Sequence, residues 1–384
     1  MIVVEGSTLA GIAVAARLAR LGHDVALAGD DAPQAPLDHF ELPAAWRDLF
    51  KKTGRPLVGS LGSLGLSLAP APPVTYLLPC GTELVLPDER GGQYYAIRDA
   101  LGQAQAERWR DLVDELDDVW AALRRFGVEA PKRPASADDR RSLWLHRTLA
   151  DVADRAGKMA PIILAEAHFA GTDSRKAPAL VAVRQSIVRT FGRHRLVDEQ
   201  GRTADASALV SLLEHRLAER FVRRCPSPPG AVTVDARSAL PKGRWRRPRP
   251  ALTPATRPAE PGTPAEIIDL TGAAPIRIIR GEHRATRLDY AQATPSIDAG
   301  FAPDDARRWL RRPAPSAHHV SAACLAGGAP WAELMSAALT VYALHEELTG
   351  EDCRPTNRAF TMPPIRRSAP DRDASPPTTP TTRR

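Results

Sequence analysis

The sequence predicts an α/β fold that opens with a parallel βαβ unit. Residues 1–5 form a short apolar run typical of a buried strand. Behind a glycine turn, residues 9–20 repeat their apolar side chains at a spacing of three to four, which favours a helix. Gly22 is a suitable helix C-cap, and residues 25–28 then predict a second short buried strand.

The turn between the first strand and the helix carries the candidate ligand-binding residues. Gly6 permits a tight turn, and Gly11 lets the helix pack closely on the sheet. The helix N-terminus presents free N–H groups, which suit a pyrophosphate. Thr8 stands where the dinucleotide fingerprint has its middle glycine, so a side chain intrudes on the approach of the pyrophosphate. The predicted dinucleotide site comprises Gly6, Ser7, Thr8, Leu9, Ala10 and Gly11.

An acidic residue belongs at the end of the second strand, where it accepts hydrogen bonds from an adenosine ribose. Gly29 takes the expected position, and Asp30 can serve after a shift of one residue. The alternative is that Asp30 and Asp31 form only a polar turn. Asp30 is therefore a candidate cofactor-binding residue, with the polar turn as the alternative.

Several later segments resemble a known family in their residues and in their order along the chain. They are Gly22-His23 followed by residues 42–57, residues 170–179, Gly327-Gly328 before a helix, and residues 348–352 with 354–357. Together they resemble the actinobacterial phytoene-desaturase-like flavoproteins of the amine-oxidase superfamily. The resemblance implies a Rossmann-like FAD/NAD(P)-binding domain interleaved with an α+β substrate domain. It also implies hydride transfer from an apolar or amine substrate to FAD, with Gly327, Gly328 and Trp331 near the cofactor.

The chain also departs from that family. The glycine/arginine motif that normally follows the second strand has no counterpart, because only residues 32–38 connect to the next segment. Ala326 replaces an acid before the last helix. An alternative function is therefore a flavin-free binding or partner protein that keeps the fold. No catalytic side chain is assigned, since in flavin chemistry the cofactor carries the reactive atom.

The predicted organisation has an N-terminal dinucleotide-binding part at 1–60 and a substrate and helical cap domain at 61–215. Residues 216–362 return to the nucleotide domain and add substrate-domain strands, with a mobile Pro/Arg-rich connector at 241–264, and 363–384 form a disordered tail. A hairpin is expected around residues 79–81. One apolar stripe is expected on the long helix over 105–126, made by Trp109, Leu112, Val113, Leu116, Val119, Trp120 and Leu123.

Composition limits the classes of function. The chain has 384 residues, is 43% hydrophobic and carries a net charge of +7. No apolar run is long enough for a membrane span and no signal peptide is evident, so a cytoplasmic location is expected. Four scattered cysteines suggest neither a metal site nor disulfides. The basic clusters at 244–249 and 307–312 lack a nucleic-acid motif, so no nucleic-acid partner is expected, while weak membrane-surface contact, a homodimer or a protein partner stays open.

Overall fold

The computed structural model describes residues 1–29, 39–129, 134–169, 175, 177–225, 231–237, 255–258, 262–282, 284–291, 316–320 and 329–354. The strands are β1 (Ile2–Glu5), β2 (Val25–Ala28), β3 (Phe40–Glu41), β4 (Ser67–Pro70), β5 (Val74–Leu77), β6 (Glu83–Leu86), β7 (Arg193–Val197), β8 (Arg223–Arg224), β9 (Val232–Asp235), β10 (Ala255–Pro258), β11 (Ala265–Asp269), β12 (Ile276–Arg280) and β13 (Arg284–Asp289). The helices are α1 (Leu9–Arg20), α2 (Pro43–Thr53), α3 (Leu57–Gly62), α4 (Arg90–Leu101), α5 (Gln103–Leu123), α6 (Ala137–Ser142), α7 (Leu149–Ala156), α8 (Ala160–Phe169), α9 (Val183–Phe191), α10 (Ser207–Glu219) and α11 (Pro330–Thr349).

A four-stranded parallel sheet with the order β8-β2-β1-β9 contains the predicted βαβ unit. Helix α1 joins β1 to β2 and packs against α2, α10 and α11. Its alanines allow those helices to approach closely, and residues 9–18 are all buried. A parallel bridge between Asp235 and His319 brings the chain back to this sheet once more. The predicted βαβ unit and α/β fold class are confirmed.

The second sheet has six strands in the order β10-β13-β12-β11-β5-β6. Neighbouring strands of this sheet pair antiparallel, except β11 and β5, which pair parallel. The predicted hairpin is confirmed as β5 and β6, with Gly81 at a φ of +82° in its turn. A separate three-stranded antiparallel sheet has the order β3-β7-β4.

The helical layer agrees with the predicted periodicity. In α5 all seven residues of the apolar stripe are buried. Edge-to-face contact between Trp120 and Trp331, with ring centroids 5.4 Å apart, joins α5 to the start of α11. The stripe therefore forms core rather than a ligand contact surface.

One prediction is corrected. Residues 255–258, expected within a mobile connector, form β10 at the edge of the six-stranded sheet. Their partner is β13, and the hydroxyls of Thr256 and Thr286 lie 3.3 Å apart. An edge strand tolerates Pro258, because proline there does not interrupt a ladder on both sides. Residues 241–254 of the expected connector and the tail at 363–384 lie outside the described residues.

None of the helices in the described ranges is long and apolar enough to cross a membrane.

Candidate dinucleotide-binding site

The turn after β1 has the geometry that its glycines predict. Gly6 adopts a φ of +117°, which favours glycine, and a β-carbon there would lie 2.7 Å from the backbone of Ala236. A β-carbon on Gly11 would overlap the carbonyl oxygen of Gly6. Both glycines are therefore required by close backbone contact, and the turn brings residues 6–11 together at the carboxyl end of β1.

Thr8 is the N-cap of α1. Its hydroxyl accepts a hydrogen bond from the Gly11 amide at 3.1 Å and donates one to the Ala236 carbonyl at 2.7 Å. The hydroxyl of the residue that replaces the middle glycine is thus fixed by two hydrogen bonds. One of them occupies the Gly11 amide at the helix N-terminus.

Glu333, in the first turn of α11, reaches the same helix end. Its carboxylate accepts a hydrogen bond from the Ala10 amide at 3.3 Å, which links the N-terminal parts of α1 and α11. A carboxylate is a favourable partner for the positive end of a helix dipole. Trp331, one of the predicted cofactor residues, lies two residues before Glu333 and is 2% exposed.

Ser7 and Arg224 cover the end of β2. Ser7 donates a hydrogen bond to the Gly29 carbonyl at 2.8 Å, and Arg224 donates to the Ser7 hydroxyl at 3.2 Å. Arg224 also forms a two-point pair with Glu214 at 2.7 Å. A guanidinium therefore lies beside the position where the fingerprint has a ribose-binding acid.

The remaining predicted residues cannot be placed: Asp30, Gly327 and Gly328 lie outside the described residues. Within the part of the chain that the structure describes, the amides of Ser7, Thr8 and Leu9 have no protein acceptor, whereas those of Ala10 and Gly11 do. Three amides of the turn are therefore without a protein partner, and they are the groups to which the predicted pyrophosphate would bind.

A second polar group is centred on the six-stranded sheet, and sequence reasoning missed it. The carboxylate of Glu266 on β11 binds three basic side chains: His39 Nδ1 at 2.7 Å, Arg277 Nε at 2.7 Å and Arg193 Nη1. Burial raises the pKa of Glu266, but the guanidinium groups of Arg277 and Arg193 outweigh burial and hold that pKa well below its usual value. Glu266 is therefore ionised although its side chain is 1% exposed.

A neighbouring ion-pair group involves α8, α9 and β3. Arg184 pairs with Glu41 at 2.6 Å and with Glu166 at 3.1 Å, and Gln185 donates to Glu166 at 2.6 Å. Burial raises the pKa of the Glu166 carboxyl, and Arg184 opposes this only in part. Between the two groups is a cavity of about 10 Å³, lined by Arg184, Arg193 and Glu266 among others, which is room for about one water molecule.

In the sequence, the only local sign of these residues was a charged side chain at an inward-facing position of a strand whose other inward positions are apolar. Glu266 and Arg277 occupy buried positions of β11 and β12. His39 lies 227 residues away from Glu266 in the sequence, so no local pattern could have paired them. In the described ranges, no group of three or more His, Cys, Asp and Glu side chains is arranged to hold a metal ion.

No family model and no curated protein matches the sequence. Solved structures do match the fold. A redesigned triple mutant of putrescine oxidase aligns with a TM-score of 0.57 at 12% identity, covering 90% of this chain and 98% of that one. Cyclohexylamine oxidase from Brevibacterium oxydans aligns with a TM-score of 0.54 at 13% identity, and the alignment covers 90% of this chain and 99% of that one. Wild-type putrescine oxidase bound to putrescine aligns with a TM-score of 0.51 at 10% identity, and the alignment covers 91% of this chain and 99% of that one. The chain therefore has an amine-oxidase-like fold.

Proposed function

We propose that this protein is an FAD-dependent oxidoreductase that transfers a hydride from an amine substrate to the flavin. The observation that carries the proposal is the turn at residues 6–11, which in an amine-oxidase-like fold leaves the Ser7, Thr8 and Leu9 amides available to an anion. The solved neighbours named above are oxidases of putrescine and cyclohexylamine, which supports the choice of an amine.

The chain's own contribution would be to bind and orient. The three free amides of the turn would hold the pyrophosphate, and Gly6 and Gly11 would keep the turn and helix close to it. Bound FAD would supply the hydride acceptor. Contacts from Asp30, Gly327, Gly328 and Trp331 remain predictions from the sequence.

The buried ion pairs favour an amine over the apolar, phytoene-like substrate that the sequence resemblance also implies. Carboxylates and guanidiniums occupy the buried face of the six-stranded sheet, where a long hydrocarbon would need an apolar lining. A protonated amine, in contrast, is attracted by an ionised carboxylate such as that of Glu266.

A flavin-free binding protein is the second candidate, and a specific observation favours it. The Thr8 hydroxyl occupies the Gly11 amide, the Glu333 carboxylate occupies the Ala10 amide, and Gly29 stands where an acid would bind the ribose. Such a protein would keep the fold and act through a partner or as a dimer.

A visible absorption spectrum of the purified full chain separates the two candidates, followed by titration with FAD and mass spectrometry of any molecule released on denaturation. Flavin absorbance with about one FAD per chain supports the oxidoreductase. A colourless protein that takes up no FAD at concentrations well above those used by flavoenzymes overturns it and leaves the flavin-free candidate.

A further inference from the structure

We propose that the ion pair of Arg224 and Glu214 binds the 2′ and 3′ hydroxyls of an adenosine ribose, in place of the acid that the fingerprint has after its second strand. This inference rests on the proposed function and deepens it, because it assigns the ribose end of the cofactor to named residues. It also commits the site to a ribose without a 2′-phosphate. The assignment comes from contacts between β8, α10 and the turn after β1.

Arg224 lies at the carboxyl end of β2. The register of the parallel sheet pairs it with Leu27, and the Cys225 amide donates to the Leu27 carbonyl at 3.2 Å. Its guanidinium reaches the turn after β1, where Nη1 donates to the Ser7 hydroxyl at 3.2 Å. Ser7 in turn donates to the Gly29 carbonyl at 2.8 Å. Because a βαβ dinucleotide fold binds the adenosine ribose between this turn and the end of its second strand, Arg224 lies beside that position.

Glu214 on α10 brings a carboxylate to the same place. Arg224 Nη2 donates to both oxygens of this carboxylate, each at 2.7 Å. Gly29 occupies the position after β2 where the fingerprint has its acid, and it has no side chain to offer. The ion pair therefore supplies, from a helix distant in the sequence, the carboxylate that is missing from the end of β2.

The ion pair keeps hydrogen-bonding capacity that fits a diol. Each carboxylate oxygen of Glu214 accepts more than one hydrogen bond, so both can still accept from a hydroxyl. The Nε–H of Arg224 has no acceptor among the described residues and is free to donate. Since a ribose hydroxyl both donates and accepts, it can use both groups. The side chains are 34% exposed at Glu214 and 52% at Arg224, so a ligand can reach them.

The charge of the ion pair decides between a free and a phosphorylated ribose. The positive charge of Arg224 is balanced by Glu214, and a 2′-phosphate would lie against the Glu214 carboxylate. A strand end that offers an arginine in place of the acid is, in contrast, the arrangement that accommodates a 2′-phosphate. The pair therefore favours free ribose hydroxyls, as in ADP and in the ADP part of FAD.

The direct test compares nucleotides by calorimetric titration of the full chain, free of bound nucleotide, and needs no variant. ADP should bind about tenfold tighter than 2′,3′-dideoxy-ADP, because hydrogen bonds to charged groups are lost with the hydroxyls. ADP-ribose should also bind tighter than 2′-phosphorylated ADP-ribose. Equal affinities for ADP and 2′,3′-dideoxy-ADP, or tighter binding of the 2′-phosphorylated form, overturn the proposal.

A variant test compares Glu214→Gln with Asp24→Asn, which removes the carboxylate of the neighbouring ion pair on the same strand, formed with Arg223 at 2.8 Å. Glu214→Gln should weaken ADP binding and leave 2′,3′-dideoxy-ADP binding unchanged, so the ratio of the two affinities falls towards one. Asp24→Asn should keep the wild-type ratio. A Glu214→Gln protein that loses affinity for both nucleotides alike would show a purely structural role for the pair and contradict the proposal.

Asp30→Asn tests the acid that the sequence predicts for the same role. A ratio that falls in Asp30→Asn but not in Glu214→Gln assigns the ribose to Asp30 and overturns the inference. A protein that shows the predicted nucleotide discrimination but takes up no FAD supports the inference and contradicts the oxidoreductase alone. A protein that binds FAD and keeps its ratio in Glu214→Gln contradicts the inference alone. If neither ADP nor FAD binds, both are overturned.

Discussion

The parallel sheet and the six-stranded sheet are stabilised in different ways. Around β1 and α1 the core is made of small apolar side chains, and Val3, Val4, Ile12 and Ala13 are all 0% exposed. On the buried face of the six-stranded sheet, Glu266 and its basic partners lie among the apolar residues. The first region is therefore sensitive to added volume, and the second is sensitive to the loss of a charge.

The largest effect should come from adding volume to the first region. Gly11→Val would force a side chain into the Gly6 carbonyl, so we expect a loss of about 4 kcal/mol or more in the free energy of unfolding. Gly62→Val is the matched control, since a β-carbon there meets nothing within 4 Å. Urea denaturation followed by circular dichroism measures both. Equal unfolding midpoints for the two variants would contradict the close packing described for Gly11.

Removing a charge from the second region should have nearly as large an effect. Glu266→Gln leaves Arg193 and Arg277 buried without their shared carboxylate, which should cost about 3 to 5 kcal/mol of stability. Glu115→Gln removes the partner of Arg155 at a site 47% exposed, where a cost of about 1 kcal/mol or less is expected. In thermal unfolding, the midpoint temperature of Glu266→Gln should lie well below that of Glu115→Gln. The reverse order would show that the buried group does not stabilise the fold.

A smaller effect concerns the ligand rather than the fold. Thr8→Gly removes the side chain that narrows the turn, so FAD should bind about tenfold tighter, or about 1.4 kcal/mol. The helix loses a cap, which should cost only a few tenths of a kcal/mol with glycine in its place. Thr148→Gly removes the corresponding N-cap of α7 and is the control, with no expected change in FAD affinity. If fluorescence titration shows no gain for Thr8→Gly, the short connection after β2 limits binding instead.

The smallest predicted effect is a pH dependence at the other end of α1. His23 Nε2 and His345 Nδ1 lie 2.9 Å apart, and burial, together with the charge of His345, lowers the pKa of His23. The unfolded chain then binds more protons than the folded one, so stability is present above about pH 6.5 and is lost as the pH falls below it. Because His23 is largely solvated, the change should stay below about 1 kcal/mol. His23→Gln should flatten the dependence of the unfolding midpoint between pH 7 and 5, and an unchanged slope would assign it to other groups.

The same contrast explains what could be predicted from sequence. The βαβ unit, the hairpin at β5 and β6 and the buried stripe of α5 depend on residues close together in the chain, and all were predicted. Thr8 was identified as an obstruction, but its bond to Ala236, 228 residues away, was not. The cluster at Glu266 was missed for the same physical reason, since its partners come from separate strands and its burial depends on how the sheets pack. Strand β10 was missed because its pairing with β13 outweighs a composition that is typical of a linker.

The links from Thr8 to Ala236 and from Ala10 to Glu333 have a consequence for how the chain folds during synthesis. They join residues separated by 228 and 323 positions. Helix α1 therefore leaves the ribosome long before either partner exists, and the Thr8 hydroxyl and the Ala10 amide stay open to water or to other chains throughout that time. Contacts of such long sequence separation slow folding and extend the lifetime of partly folded states. The same few hydrogen bonds that shape the candidate site would thus form among the last in the molecule.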